Sequence, residues 1–150
     1  MTAKKGLVYV LIAYVIFVFI QSLFYKFTGS EQTEIIFATI AQWMSGVGLD
    51  GIAPAFETYG GYLIGTAELI ASILLLMQNT RRLGALLGLA IISGAIYFHL
   101  FTPLGINRVI DAAGNTDNGV LFYMACGVWL SCVLIFVLSK PAKKHRSPYR

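Results

Sequence analysis

GYLIGTAELIAS, at residues 61–72, constrains the fold of this chain most strongly, because it places small residues and one acid on a single face of a helix. Gly61, Gly65, Glu68 and Ser72 recur at i, i+4, i+7 and i+11, which is helical spacing. Small residues let a neighbouring helix approach closely inside a membrane. The pattern therefore predicts that Glu68 faces other helices rather than lipid.

Composition extends this interpretation to the whole chain. The sequence is 57% hydrophobic and 12% charged, and its mean hydropathy is +0.74. A soluble domain carries about 25% charged residues. A chain of 150 residues has room for four spans of about 20 residues and little else. We therefore predict one domain, an all-α, up-down bundle of four transmembrane helices at about residues 7–27, 59–77, 83–101 and 119–138.

The charges give this bundle a direction. Nine of the eleven basic residues fall on one side of the predicted spans: Lys4, Lys5, Arg81, Arg82, Lys140, Lys143, Lys144, Arg146 and Arg150. Six of the seven acids fall on the other side, and the seventh, Glu68, lies inside a span. Short loops rich in Lys and Arg stay in the cytoplasm. The expected location is a bacterial-type inner membrane, with both termini cytoplasmic.

Two further segments lie outside the predicted spans. Residues 30–44 carry apolar side chains at helical spacing and acids in the first turn, which predicts a short interfacial helix between spans one and two. The basic tail, residues 139–150, contains two prolines. Scattered basic residues without a binding motif do not indicate nucleic-acid binding.

Three ionisable residues suggest a site in the outer half of the bundle: Glu68, His99 and Lys26. Glu68 is nine residues into its span, about 13 Å deep at 1.5 Å per residue. His99 and Lys26 lie near the outer ends of their spans. An acid, a base and a cation in one leaflet form a candidate proton-handling site. Tyr25, Thr28 and Tyr123 are expected to border it, with Cys126 deeper in.

Each of these residues also has a structural interpretation. Glu68 is consistent with an ion pair between helices, Lys26 with a side chain that reaches out to the headgroups, and His99 with a hydrogen-bonded interface residue. One Glu and one His do not make a metal site. Cys126 and Cys132 are six residues apart and point about 120° from each other on a helix, so they do not form a dithiol.

Several short motifs resemble the DoxX family. They are Phe24-Tyr25-Lys26-Phe27-Thr28-Gly29, Gly61-Tyr62-Leu63-Ile64-Gly65-Thr66-Ala67-Glu68-Leu69, Arg82-Leu83-Gly84-Ala85-Leu86-Leu87 and Tyr97-Phe98-His99-Leu100. The order is also similar: Lys-Phe-Thr-Gly at the end of span one, Glu in span two, and His closing span three. This resemblance extends over nearly the whole chain.

The resemblance implies a four-helix membrane protein of a redox class, such as a subunit that binds a quinone, a partner of redox-stress proteins, or a helper of disulfide formation. A quinone in the bundle would use Glu68 and His99 as proton donors or hydrogen-bonding partners. The unpaired cysteines argue against the disulfide role. A scaffold that binds other membrane proteins is the alternative function, and permeation of a small solute is the third. The expected partners are the lipid bilayer and membrane or soluble redox proteins.

Overall fold

The computed structural model describes residues 3–140, and this part of the chain is helical apart from its turns and one loop. Its five helices are α1 (Ala3–Phe27), α2 (Glu31–Gly46), α3 (Ala53–Leu76), α4 (Arg81–Phe101) and α5 (Val120–Leu138). All except α2 are long and apolar enough to cross a membrane. The predicted all-α bundle of four membrane-spanning helices is therefore confirmed.

The largest difference from the predicted bounds is at the start of α3. The helix begins at Ala53 rather than near Tyr59. Pro54 occupies its first turn, where backbone N–H groups have no carbonyl partner within the helix, so the N–H that proline lacks is not needed. Arg81 begins α4 instead of lying in the preceding turn, and its Nε donates to the carbonyl of Leu75 at 3.1 Å. The predicted tail begins at Ser139, and its residues 141–150 lie outside the described part of the chain.

The predicted interfacial helix exists as α2, and it packs on the bundle. Ser30 caps its N-terminus by accepting from the backbone N–H of Thr33 at 3.3 Å. Its buried face includes Phe37, whose ring lies against Gly60 and Gly61 of α3. A Cβ on Gly60 would lie 2.6 Å from that ring, so glycine is what allows α2 to approach. We call this end of the molecule, formed by α2 and the loop 102–119, the α2 end.

The half of the bundle away from α2 is solidly packed. Val15, Phe19, Leu75, Val128 and Ile135 are completely buried, and they belong to one hydrophobic cluster formed by the four long helices. A smaller cluster, centred on Ile40, Met44 and Leu104, joins α2 to the loop that follows α4. The buried charged side chains lie outside these two clusters: Glu68 and Arg108 are between them, and Arg81 is at the start of α4.

Close contact of α3 with α4 depends on Gly84. A Cβ at this position would lie 2.7 Å from the backbone nitrogen of Leu75 and 3.0 Å from the carbonyl oxygen of Ala71. Backbone atoms cannot move aside as a flexible side chain can. Gly94, further along α4, has nothing within 4 Å of the position that a Cβ would take, and so tolerates a methyl group.

We predict that Gly84→Ala lowers the free energy of unfolding by about 1–3 kcal/mol, because it overpacks the α3–α4 interface. Gly94→Ala is the matched control, and it should be neutral or stabilising by up to about 1 kcal/mol through helix propensity. Unfolding in mixed micelles measures both variants. Equal effects of the two substitutions would contradict the close packing at Gly84.

Candidate functional site

A cavity of about 320 Å³ lies at the α2 end, and all five helices and the loop 102–119 contribute to its wall. Most of the lining is apolar: Val18, Ile36, Phe37, Ile40, Phe56, Ile64, Ile91, Phe98, Leu104, Ile110, Val120, Leu121 and Met124. Four charged side chains and one histidine share this wall, namely Lys26, Glu68, Arg108, Asp117 and His99. The cavity thus combines an apolar interior with a few polar groups.

Glu68 and Lys26 form an ion pair in this wall. The Lys26 Nζ atom lies 2.7 Å from both carboxylate oxygens of Glu68 and 2.5 Å from the hydroxyl oxygen of Ser22. Glu68 is only 4% exposed, so its side chain faces the neighbouring helix and not lipid. The orientation that the glycine stripe predicts is therefore present in the structure, and two of the three predicted site residues are in contact.

Gly65 explains why this pair can form. A Cβ at Gly65 would lie 3.2 Å from the side chains of Leu23 and Phe27, so α1 and α3 approach closely there. Glu68 is one helical turn further along α3, and Lys26 is in the last turn of α1. The close approach of the backbones brings the ammonium within hydrogen-bonding distance of the carboxylate.

Glu68 lies further from the start of its helix than the sequence predicts. Because α3 begins at Ala53, Glu68 is 15 residues, or about 22 Å, into the helix rather than about 13 Å. The first turns of α3 extend beyond the end of α1, and α2 packs against that extension. Glu68 thus lies below a layer of protein formed by α2.

His99 lies in the same cavity wall, near the end of α4. Its Nδ1 is 2.6 Å from the carbonyl oxygen of Gly105, and its ring packs edge-on against Phe122. A carbonyl oxygen can only accept, so Nδ1 carries the hydrogen of this bond. The side chain is 4% exposed. Within residues 3–140, His99 forms no hydrogen bond to Lys26 or Glu68.

The separation of His99 from Glu68 follows from the contact between Gly84 and Leu75. Counted along the antiparallel helices from that contact, Glu68 is level with Ile91, and His99 is eight residues further along α4. Eight residues correspond to about 12 Å. Side chains tilt toward the start of their own helix, so Glu68 and His99 lean toward each other and narrow this gap.

The other predicted site residues are divided between the cavity and the outer surface. Tyr25 lines the cavity and is 38% exposed. Thr28 is exposed and donates to the carbonyl of Phe24, while Tyr123 is 66% exposed and packs on Phe122. Cys126 also lies outside the lining, and both cysteines are free thiols. The structure therefore separates Thr28 and Tyr123 from Glu68, Lys26 and His99.

A second ion pair borders the cavity, and it was not among the predicted site residues. The Nε atom of Arg108 lies 3.1 Å from a carboxylate oxygen of Asp117, and Arg108 is 2% exposed. With the Gln32 amide oxygen turned toward it, that oxygen accepts from both terminal nitrogens of Arg108. Burial lowers the pKa of Arg108 from its ordinary value, while the Asp117 carboxylate opposes this shift.

The charge distribution contained a signal for this second pair. Only Lys26 and Arg108, of the eleven basic residues, fall on the acid-rich side of the predicted spans. Both are largely buried in the structure, and each is paired with an acid in the cavity wall. A basic residue that departs from the general asymmetry therefore marks a paired, structural or functional position in this chain.

The loop that carries Arg108 is fastened to α2. The backbone N–H of Ala112 donates to a carboxylate oxygen of Glu31 at 2.7 Å, and an isolated β-bridge joins Val109 to Thr116. Asp111 accepts from the side chain and the backbone of Asn115, and these bonds lower the pKa of its carboxyl group.

Across residues 3–140, no group of three or more His, Cys, Asp and Glu side chains is arranged to hold a metal ion.

The fold and the cavity define a four-span integral membrane protein with buried ion pairs at one end. The sequence model of the DoxX family matches residues 9–100, which is more than half of the chain, and the protein therefore belongs to the DoxX family. The matched range contains Lys26, Glu68 and His99 and ends before Arg108. No curated protein and no solved structure matches the chain.

We predict that Lys26→Met lowers the free energy of unfolding by about 3–5 kcal/mol, because it leaves a buried carboxylate without its partner. The double variant Lys26→Met/Glu68→Leu should be less destabilised than the sum of its two single variants. The coupling energy should be about 1–3 kcal/mol, measured by a double-mutant cycle in micelles.

Glu57→Gln is the control for this cycle, since Glu57 is an exposed acid on the same helix. Its effect should be small, because surface substitutions away from specific contacts change stability little. Additive effects of the Lys26 and Glu68 variants would contradict a direct interaction between their side chains.

Proposed function

We propose that this protein is a membrane-embedded redox subunit whose cavity binds the ring of a quinone. The observation that carries the proposal is an apolar cavity with a buried lysine–glutamate pair near one end and a buried histidine near the other. Membership of the DoxX family supports the membrane location. The quinone and the redox role are supported by the chemistry of the cavity wall.

The cavity suits a small ring in size and in polarity. Ligand sites have volumes of about 300–1,000 Å³, and they are mostly apolar with a few polar groups that fix orientation. The volume of about 320 Å³ falls at the lower end of this range, which matches a single ring better than a large cofactor. Phe56 and Phe98 pack together in the wall, where they offer aromatic surfaces to a planar ligand.

The residues of this wall have distinct proposed roles. A quinone, when bound, would supply two-electron, two-proton chemistry. Glu68 and His99 are the groups that would hold or pass a proton, while Lys26 fixes the carboxylate and Tyr25 lies where the cavity meets the surface. The two unpaired cysteines are fewer than the four thiolates of an iron–sulfur cluster, so electrons would be exchanged with a partner protein or a small reductant.

The orientation in the membrane is part of the proposal. Lys4, Lys5, Arg81, Arg82 and Lys140 lie at the end opposite α2, whereas the acids other than Glu68 lie at the α2 end. The positive-inside rule places the basic end in the cytoplasm. The cavity would then face the outer leaflet of a bacterial inner membrane, with both termini cytoplasmic.

The scaffold function has one observation in its favour. The corner between α2 and α3 exposes three apolar side chains, Val47, Leu49 and Ile52, which are 53%, 43% and 56% exposed. Such a corner suits a contact with another membrane protein or with lipid headgroups.

Permeation of a small solute has less support, because the completely buried core closes the bundle between the cavity and the opposite end.

We predict that the protein purified from its native membrane carries about one quinone per chain, since such sites are few per protein. Added quinone should quench tryptophan fluorescence in a saturable manner. The Trp129→Phe variant keeps Trp43, whose ring centroid lies 6.2 Å from that of Phe98 in the cavity wall. This variant should retain the quenching.

Trp43→Phe is the matched control, because it leaves only Trp129, whose indole donates to Ser93. Its quenching should be weak and should rise linearly with quinone partitioned into the micelle.

A Glu68→Gln variant that keeps full cellular activity and normal folding would remove the proton-handling role. Absence of extracted quinone together with linear quenching in both tryptophan variants would contradict the proposed function.

A further inference from the structure

A groove on the outside of the bundle runs along α1 toward the basic end of the molecule, and we call it the α1 groove. Its volume is about 680 Å³, and its walls are apolar side chains of α1 between Tyr9 and Ile20 together with Leu76 of α3. Gln21, at its far end, also borders the cavity at the α2 end. Residues 9 to 20 extend about 16 Å along the helix. Half of the hydrocarbon core of a bilayer is about 15 Å thick, so the groove extends through about one leaflet.

The α1 groove ends at a group of N–H donors. The Gln78 Nε2 atom donates to the hydroxyl oxygen of Tyr9 at 3.4 Å, and the guanidinium carbon of Arg81 lies 5.0 Å from the centre of the Tyr9 ring. Lys5 precedes Tyr9 by four residues on α1, so these two side chains share a face of that helix. An apolar groove with cations at one end has the charge pattern that complements an anionic lipid.

Arg81 is a buried cation without an acidic partner. It is 8% exposed, and within residues 3–140 its side chain forms one hydrogen bond, from Nε to the carbonyl of Leu75. Lys26 and Arg108, which are also largely buried, each have a carboxylate partner. A buried charge is costly unless it is paired. Arg81 therefore lacks the partner that the other two cations have.

The sequence supplies no carboxylate side chain for Arg81. Six of the seven acids are at the α2 end, and the seventh, Glu68, is bound to Lys26. The residues that share the basic end with Arg81 add positive charge, namely Lys4, Lys5 and Arg82. An anion that neutralises Arg81 would therefore come from outside the chain.

The Arg81 side chain has donors left for such an anion. A guanidinium carries five N–H groups, and the one at Nε is used on Leu75. The phenol oxygen of Tyr9 already accepts from Gln78 and has room for one more donor. At least three N–H groups of Arg81 therefore have no acceptor within residues 3–140.

We propose that the α1 groove binds one anionic phospholipid, with its phosphate on Arg81 and one acyl chain along α1. A guanidinium matches a phosphate because two N–H groups can donate to two oxygens in parallel. Basic pockets between membrane helices bind anionic headgroups in this way. A zwitterionic lipid also has a phosphate, but no acidic side chain at this end can bind its ammonium group. The ligand is therefore a lipid of net negative charge, such as phosphatidylglycerol.

The test is native mass spectrometry of the full chain, released from micelles that contain equal amounts of palmitoyl-oleoyl phosphatidylglycerol and the corresponding phosphatidylcholine. One phosphatidylglycerol should stay bound per chain, about tenfold more often than phosphatidylcholine. A tenfold preference is at the lower end of what one hydrogen bond to a charged group contributes. Inorganic phosphate has no chain to occupy the groove and should not displace the bound lipid.

Arg81→Gln tests the headgroup contact, and it should remove the preference for phosphatidylglycerol. Arg82→Gln is the matched control, because it changes the net charge equally at the neighbouring position. The Arg82 guanidinium lies over the ring of Phe136 on α5, and neither residue lines the groove. Arg82→Gln should keep the preference of the parent protein.

Ala13→Phe tests the acyl-chain contact and leaves Arg81 intact. Ala13 is exposed and lines the groove, so a phenyl ring there should fill the groove without entering the core. Retention of phosphatidylglycerol should fall about tenfold, the equivalent of about two methylene groups that are no longer buried. Val10→Phe is the control, since Val10 is 67% exposed on the same helix and lies outside the lining.

Several results would overturn the proposal. Equal retention of the two lipids by the parent protein would do so, and equal losses in Arg81→Gln and Arg82→Gln would indicate only a general attraction to the basic end. Displacement by inorganic phosphate would assign the site to a free anion. Unchanged retention in Ala13→Phe would exclude the groove. If Arg81→Gln does not fold, the lipid competition in the parent protein and the comparison of Ala13→Phe with Val10→Phe decide the question. None of these results depends on the binding of a quinone.

Discussion

The pairing of Glu68 with Lys26 organises the rest of this structure. A carboxylate between membrane-spanning helices is costly, by roughly 2.5–3.5 kcal/mol on insertion scales, unless protein groups surround it. Here one ammonium contacts both oxygens at 2.7 Å. The pair joins the end of α1 to the middle of α3. α1 ends one residue after Lys26, just before Gly29 with its left-handed φ of +60°, so the first turns of α3 have no partner from α1.

That unpartnered extension accounts for α2. Phe37 packs on Gly60 and Gly61, where a Cβ would not fit beside the ring, so α2 covers the part of α3 that α1 does not reach. The loop 102–119 completes the cover, because Glu31 and Gln32 of α2 hold Ala112 and Arg108. A cavity remains between this cover and the packed core. Its polar groups were placed by the same contacts that assemble the fold.

The helices and the buried orientation of Glu68 were accessible from the sequence for a physical reason. Hydrophobic length and the glycine stripe act locally along one helix, so the spans and the buried face of α3 could be predicted from spacing alone. Pro54 could have indicated the earlier start of α3, because proline favours the first turn of a helix. The depth of Glu68 was counted from the predicted start of the span near residue 59, so the error in that start became an error in the depth.

The positions of His99 and Arg108 could not be read in the same way. They depend on how the loop 102–119 folds over the bundle, and its contacts join residues far apart in the sequence, such as Glu31 with Ala112. His99 remains in the cavity wall, but its Nδ1 bond goes to Gly105 of that loop. Periodicity along one helix contains no information about such contacts. The sequence held one signal for such contacts: Lys26 and Arg108 are basic residues on the acid-rich side of the predicted spans.

A density map of the protein in lipid nanodiscs with added quinone is the most direct test of this pairing and of the cavity beside it. We expect the carboxylate of Glu68 to lie against Lys26, and ring-shaped density to fill the space between it and His99, beneath α2. A side chain of Glu68 turned toward lipid, or α2 packed so tightly that the cavity is closed, would contradict both.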